Sequence, residues 1–220
     1  MRPIIVTAYN QAIDVDVVYL QQKVVNKFRK NIPFYTYNYS GTDLNHSDVC
    51  NKLVHKMFYE YQEGADCILI LDIDCIPLCS EAIEYTFHMA YEGNLVGNIQ
   101  RSNHYENNQH LFVAPSYICF TRNTFEEAGS PTLAFSKKYD VAELLSIGCR
   151  KNNIPIIFFM PTSSDSPNDD GEYWNLKDGM PSYGIGTTFS IGNKHVNYHL
   201  FCSRFKQYNH FFINTCQQIL

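Results

Sequence analysis

No two cysteines of this 220-residue chain stand in a CxxC spacing, and acidic residues outnumber basic ones, 22 to 17. No apolar run approaches the roughly 20 residues that cross a bilayer. The first fact removes zinc-ribbon and thioredoxin-type readings. The eight cysteines, Cys50, Cys67, Cys75, Cys79, Cys119, Cys149, Cys202 and Cys216, are scattered, several inside apolar runs where a free thiol acts as a small hydrophobe. Unpaired thiols in a reducing compartment are expected. The net charge of −5 argues against a large nucleic-acid footprint, which needs a basic face. Met1-Arg2-Pro3 runs directly into Ile4-Ile5-Val6 with no visible leader, so a cytoplasmic protein without a membrane span is expected.

What remains is an ordinary folding composition, 45% hydrophobic and 18% charged, long enough for one large domain with a real core. Aromatics are plentiful at 15%, with 16 Tyr and 15 Phe but a single Trp.

The patterning predicts alternation of strands and helices. Pro3 to Ala8 reads as a strand. Val17, Leu20, Val24 and Phe28 mark one face of a helix over 14–28. Pro33 to Tyr39 alternates as a strand, and Val49, Leu53, Met57 and Tyr61 give a second helix over 46–61. Cys67 to Leu71 is a short continuous apolar run of the kind found in central parallel strands. Ser80 is positioned to cap a helix running to about Tyr91. Residues 1–95 thus read as a Rossmann-like β-α-β-α-β half of an α/β domain with a mostly parallel sheet. Residues 96–220 form a mixed second half of the same domain. Its expected strands are 95–99, 112–120, 154–160 and, last, 196–201, with a helix over 140–152 and a loop over 161–171.

The strand-like Ile68-Leu69-Ile70-Leu71 runs straight into Asp72-Ile73-Asp74. In open parallel sheets, ligands bind at the carboxyl ends of the strands. Two carboxylates this close repel unless something positive lies between them. A hard divalent cation meets that need, because Mg²⁺ and Mn²⁺ take oxygen ligands and bridge carboxylates to phosphates. Strand alternation turns Asp72 and Asp74 to one side and Ile73 to the other.

A strand ending in DxD after two β-α units resembles the metal-dependent, nucleotide-sugar-using glycosyltransferases of the GT-A fold. The run Phe120-Thr121-Arg122-Asn123-Thr124-Phe125-Glu126-Glu127-Ala128-Gly129 is similar to their strand, Arg and short Gly-terminated helix past the donor site. Asp140-Val141-Ala142-Glu143-Leu144 resembles the helix start where inverting members carry an acidic base. Tyr198-His199-Leu200-Phe201 resembles their late metal-binding His.

The resemblance implies a GT-A-like single domain and residue roles. Asp74 and His199 would bind Mn²⁺ or Mg²⁺, with Asp72 on the metal, its water or the donor ribose. His195 competes with His199. An Asp, Asp, His set tilts the metal toward Mn²⁺. Thr7, Ala8, Tyr9 and Asn10 after the first strand and Asp43 after the second would hold the nucleotide, with Tyr9 stacking on the base and Asp43 accepting from a pyrimidine N–H. Asp140, or else Glu143, would take the proton of the acceptor hydroxyl. Donor-sugar or acceptor binding is assigned to the polar stretch 98–110, which contains Arg101, and Trp174 is a candidate sugar platform. The run 184–188, with two glycines, is a candidate phosphate loop. The implied donor is a nucleoside-diphosphate sugar, UDP by resemblance. The implied acceptor is a glycan or glycoprotein, with a hydroxylated DNA base as the alternative.

Two rivals remain open at this point. A haloacid-dehalogenase-type phosphatase also reads as a strand ending in DxD, with Asp72 as nucleophile, Asp74 as acid/base and Asn168-Asp169-Asp170 as late ligands. Against it, two β-α units precede the motif and Ile76 stands where Thr or Val is usual. A non-catalytic sugar- or nucleotide-binding module is the other rival, disfavoured because buried charges without a metal are costly.

Overall fold

The computed structural model describes residues 1–60, 64–102 and 110–220. Its strands and helices run in the order β1 (Pro3–Tyr9), α1 (Val15–Phe28), β2 (Phe34–Asn38), α2 (His46–His55), β3 (Cys67–Asp72), β4 (Cys75–Pro77), α3 (Ser80–Tyr91), β5 (Leu95–Arg101), β6 (Leu111–Thr121), α4 (Arg122–Glu127), α5 (Glu143–Lys151), β7 (Ile156–Ser166), β8 (Trp174–Asn175), β9 (Ser182–Tyr183), β10 (Ile185–Ile191), β11 (Lys194–His199) and α6 (Asn209–Ile219).

Among the described residues, nine strands form one mixed sheet in the order β2-β1-β3-β6-β5-β7-β10-β11-β4. The pairs β1–β2, β1–β3 and β5–β7 are parallel and the others antiparallel. Beyond it, β8 and β9 make a two-stranded ribbon.

The N-terminal half follows from simple rules. β1 and β3 are buried along most of their length, as expected of central strands covered by helices on both faces. Side-chain alternation feeds opposite clusters. Ile4, Val6, Ile68 and Ile70 pack with Val49, Leu53 and Leu145, whereas Ile5, Leu69 and Leu71 pack with Ile83 and Phe87. Asp14 caps α1 by accepting from the Asp16 N–H at 3.0 Å, and Asn45 caps α2 by accepting from Asp48 at 2.9 Å. α2 continues as a wider turn over Lys56–Glu60, and the expected end of that helix, Tyr61, lies outside the described residues.

The second half departs from expectation in specific ways. The anticipated loop over 161–171 is strand as far as Ser166. Residues 160–166 pair with β10 through their backbone, which needs no apolar side chains. The anticipated phosphate loop 184–188 is largely β10. There Gly186, at φ +65°, admits the close approach of Tyr198, whose hydroxyl donates to Asp165 Oδ2 at 2.6 Å. A Cβ on Gly186 would sit 2.2 Å from that carboxylate. The helix expected from Asp140 begins at Glu143. α3 is preceded by Cys79 in the capping position, without a side-chain cap, rather than by Ser80. α6 follows the strand expected to be last, and β4 was not anticipated. The strand–Arg–short helix–Gly run is present as β6, Arg122, α4 and Gly129 at φ +92°.

All eight cysteines are free, and the Cys67 and Cys119 thiols touch at 3.7 Å inside the core. No described helix is long and apolar enough to cross a membrane.

Candidate metal centre and nucleotide cleft

Asp72 is the last residue of β3, and Ile73-Asp74 turn the chain into β4. The turn, not strand alternation, sets the two carboxylates side by side. β4 pairs with β11 in the register Cys75↔His199, and the Leu200 N–H donates to the Asp74 carbonyl at 2.9 Å. That pairing carries His199 to the DxD turn across about half the chain. His199 Nε2 lies 3.2 Å from Asp74 Oδ1 and 4.0 Å from Asp72 Oδ2. Ligand atoms of Asp72, Asp74 and His199 all lie within 4.8 Å of one another. The competing His195 is instead engaged by Ser190 Oγ, 2.8 Å from its Nδ1, on the exposed start of β11.

The chain after β11 is bent to finish the group. Phe201 and Cys202 are both left-handed, at φ +59° and +56°. Such geometry costs on the order of 1–3 kcal/mol at each non-glycine residue. It delivers two contacts: the Ser203 N–H donates to Asp74 Oδ2 at 3.3 Å, and the Phe201 ring packs 3.9 Å from the His199 ring. Phe201 is itself wedged against Trp174, Tyr183 and Phe189. Burial alone would raise the Asp74 carboxyl, but His199 and the Ser203 contacts hold it below its ordinary value.

The donor set fits a divalent cation. It offers two carboxylates and one imidazole, the choice that suits Mn²⁺. Asp72 Oδ1 and His199 Nδ1 are buried without a hydrogen bond of good geometry. Two adjacent carboxylates with unused lone pairs are what a hard cation requires.

Asp72 and Asp74 line a cleft of about 430 Å³ at the carboxyl ends of β1 and β3, within the range of small-molecule sites; buried His199 is not among its lining residues. Ala8, Tyr9 and Asn10 are among its lining residues. Tyr39, His46, Ser203 and Arg204 also line it and were not anticipated. His46 opens α2 immediately after its Asn45 cap, so a helix start at this sheet edge was the available signal. Ser203 and Arg204 sit in irregular chain with no periodicity to betray them. Cys50 and, behind it, Asp72 hold the His46 imidazole well above its ordinary pKa against the effect of burial.

Other anticipated residues stand apart from the cleft. Thr7 is fully buried within β1, its hydroxyl unpartnered. Asp43 is exposed in the turn after β2 and is not among the lining residues. Arg101 ends β5, where its backbone hydrogen-bonds the Tyr183 hydroxyl. Asp140 is half-buried just before α5, and its field reaches the same Tyr183. Glu143 is fully buried, accepting from Ser102 Oγ at 2.9 Å and the Asp140 N–H at 2.8 Å. Two antiparallel steps across β6 make β5 run with β3, so these residues share the cleft's edge of the sheet. The ring series Tyr183–Phe201–His199 connects them to the metal group.

Of the polar stretch 98–110, residues 103–109 lie outside the described residues. Asn98 is committed to a buried amide pair with Asn197, at 2.9 and 2.8 Å, that ties β5 to β11. The late acidic run does not join the Asp72 group: Asp169 accepts from Gln207 and Tyr208 on the surface.

No protein-family model and no curated protein matches the chain. Solved structures do. A point mutant of Drosophila β1,4-galactosyltransferase 7, solved with manganese, UDP-Gal and xylobiose, superposes with a TM-score of 0.50 at 12% identity. The match covers 72% of this chain and 65% of that one. The chain has a GT-A-like fold. A xylobiose complex of the same fly enzyme matches at TM-score 0.45 and 14% identity, over 71% of this chain and 63% of that one. A 4-diphosphocytidyl-2C-methyl-D-erythritol synthase matches at 0.38 and 14%, over 72% and 89%. This chain therefore spans just under two thirds of the fly enzyme's solved length.

Proposed function

We propose that the chain is a metal-dependent glycosyltransferase that moves a sugar from a nucleoside-diphosphate sugar, with UDP the favoured nucleotide, to a hydroxyl of a glycan or glycoprotein. The observation that carries this reading is the convergence of Asp72 and Asp74 on His199, with both carboxylates lining a cleft at the carboxyl ends of the sheet. The fold adds support, since a structure of the same fold holds manganese and UDP-Gal.

In this reading Asp72, Asp74 and His199 hold Mn²⁺ or Mg²⁺. A cation bound there supplies charge neutralisation on the leaving diphosphate. Among the lining residues, Tyr9 and Tyr39 offer rings suited to a base, and Arg204 offers a guanidinium fork suited to phosphate oxygens. Asp140 accepts the acceptor hydroxyl proton, and Glu143, buried and already twice hydrogen-bonded, fixes the Asp140 backbone instead of touching substrate. Trp174, tilted against Phe201 at 5.5 Å, is the candidate platform for an acceptor sugar.

The test is donor turnover. The protein is incubated with a panel of UDP-, GDP- and dTDP-sugars and Mn²⁺, and release of nucleoside diphosphate is followed with and without chelator. Release from one nucleotide class, abolished by chelator and by Asp74→Ala, is expected. Metal-independent release, or none from any donor, would sink the reading.

A further inference from the structure

We propose that His46 positions Asp72 for the cation: it is a partner that fixes one ligand, not a ligand itself. The proposal rests on the metal reading of the cleft given above.

The three ligands are not held equally. Asp74 is buried and fixed by the Ser203 N–H and by its own backbone contact to Leu200. His199 is buried and wedged against Phe201. Asp72 is the outermost, with 19% of its side chain exposed. It ends a strand, and no backbone N–H reaches its carboxylate among the described contacts. Left alone, it would rotate freely about the end of β3.

One group is placed to stop that rotation. His46 Nε2 stands 3.1 Å from Asp72 Oδ1, while Oδ2 is the oxygen turned toward His199. The two oxygens are thus divided, Oδ1 toward His46 and Oδ2 toward the remaining ligands. His46 is well anchored for this task, being the first residue of α2, next to the Asn45 cap. Cys50, one turn later, places its sulfur 3.6 Å from the same Nε2. Of the two neighbours the carboxylate is the nearer and much the stronger acceptor, so a small turn of the ring from its contact with Cys50 aligns the Nε2 proton with Asp72 Oδ1. The positive end of α2 adds to the same effect. His46 stands outside the set of three that converges within 4.8 Å.

A carboxylate restrained in this way presents one oxygen in a fixed direction. Partners of this kind typically set metal affinity by a factor of about 10–100.

Mn²⁺ binding is read by the electron paramagnetic resonance signal of free Mn²⁺ for wild type, His46→Gln, His46→Ala and Asp74→Ala, each checked by thermal melting. A glutamine amide keeps an N–H donor at the reach of Nε2 without an imidazole lone pair. The expected result is tight binding by wild type, near-wild-type binding by His46→Gln, a loss of about 10–100-fold in His46→Ala, and none in Asp74→Ala. Wild-type affinity in His46→Ala would overturn the proposal and leave the metal site standing. Equal losses in folded His46→Gln and His46→Ala would also overturn it, by making the imidazole a ligand. Failure of the wild type to bind Mn²⁺ would overturn the metal reading itself.

Discussion

Carboxylates meet imidazoles at two places on the same edge of the sheet, and the two meetings are built oppositely. At the DxD turn, Asp72 and Asp74 line a cleft and converge on His199, with His46 beside Asp72. Donors are few: Ser203 reaches one oxygen of Asp74, and Asp72 Oδ1 takes no hydrogen bond of good geometry. At the start of α5, Glu143 is fully buried. Its Oε2 is satisfied by Ser102 and the Asp140 N–H, and His110 stands 3.5 Å from Oε1 on the solvent side. One cluster gathers two carboxylates and few protein donors; the other is a single carboxylate with two hydrogen bonds on Oε2, its Oε1 having only the His110 contact. The first has the electrostatics of a cation site. The second has those of a structural clamp that shapes the turn carrying Asp140, with Ala142 held at φ +65° beside it.

The sharpest way to break this contrast is to delete one carboxylate from each cluster. Asp74→Ala should weaken Mn²⁺-dependent nucleotide binding by more than about 100-fold, the upper end for outer-shell partners alone. Thermal melting checks that the variant still folds. Glu143→Ala should behave in reverse. It strands the Ser102 hydroxyl and the Asp140 N–H, a loss of about 2–4 kcal/mol in denaturant unfolding, while Mn²⁺ affinity holds. A drop in Mn²⁺ affinity there would erase the distinction.

Acid separates the clusters next. Asp74 is held below the ordinary carboxyl value of 3.8 in the folded chain. Its contribution to stability is therefore fully present above that value and is lost as pH falls through the lower folded value. Unfolding of the metal-free wild type across pH 5 to 2 should lose stability in this window, and Asp74→Asn should flatten that part of the curve. The smallest effect belongs to His110→Ala. The side chain is 47% exposed, so its removal should change stability by no more than about 0.5 kcal/mol and leave Mn²⁺ binding untouched.

The same contrast explains which parts were readable in the sequence. The candidate cation cluster could be read because its carboxylates stand at the end of a continuous buried strand, Cys67 to Leu71, and its histidine ends a recognisable late strand. How they meet was not legible. The turn at Ile73-Asp74 and the pairing of Cys75 with His199 are tertiary choices with no local pattern. His46 carried only a cap signal, and Arg204 follows two left-handed residues that no propensity predicts. The parallel half was readable because burial on both faces imposes apolar runs. From Pro161 onward, strands β7 and β10 are hydroxyl-rich, with Thr162 bonding Ser190 and Ser164 bonding Thr187, so their composition reads as loop although their backbones pair.

The central claim is that Asp72, Asp74 and His199 hold a cation that in turn carries a nucleoside diphosphate. Calorimetric titration of UDP, GDP and dTDP into wild type and Asp74→Ala, with and without Mn²⁺, tests it most directly. The account predicts that one of the three binds the wild type only when Mn²⁺ is present, and that Asp74→Ala binds none. Binding that is indifferent to Mn²⁺ or to Asp74, or no binding under any metal condition, would contradict it.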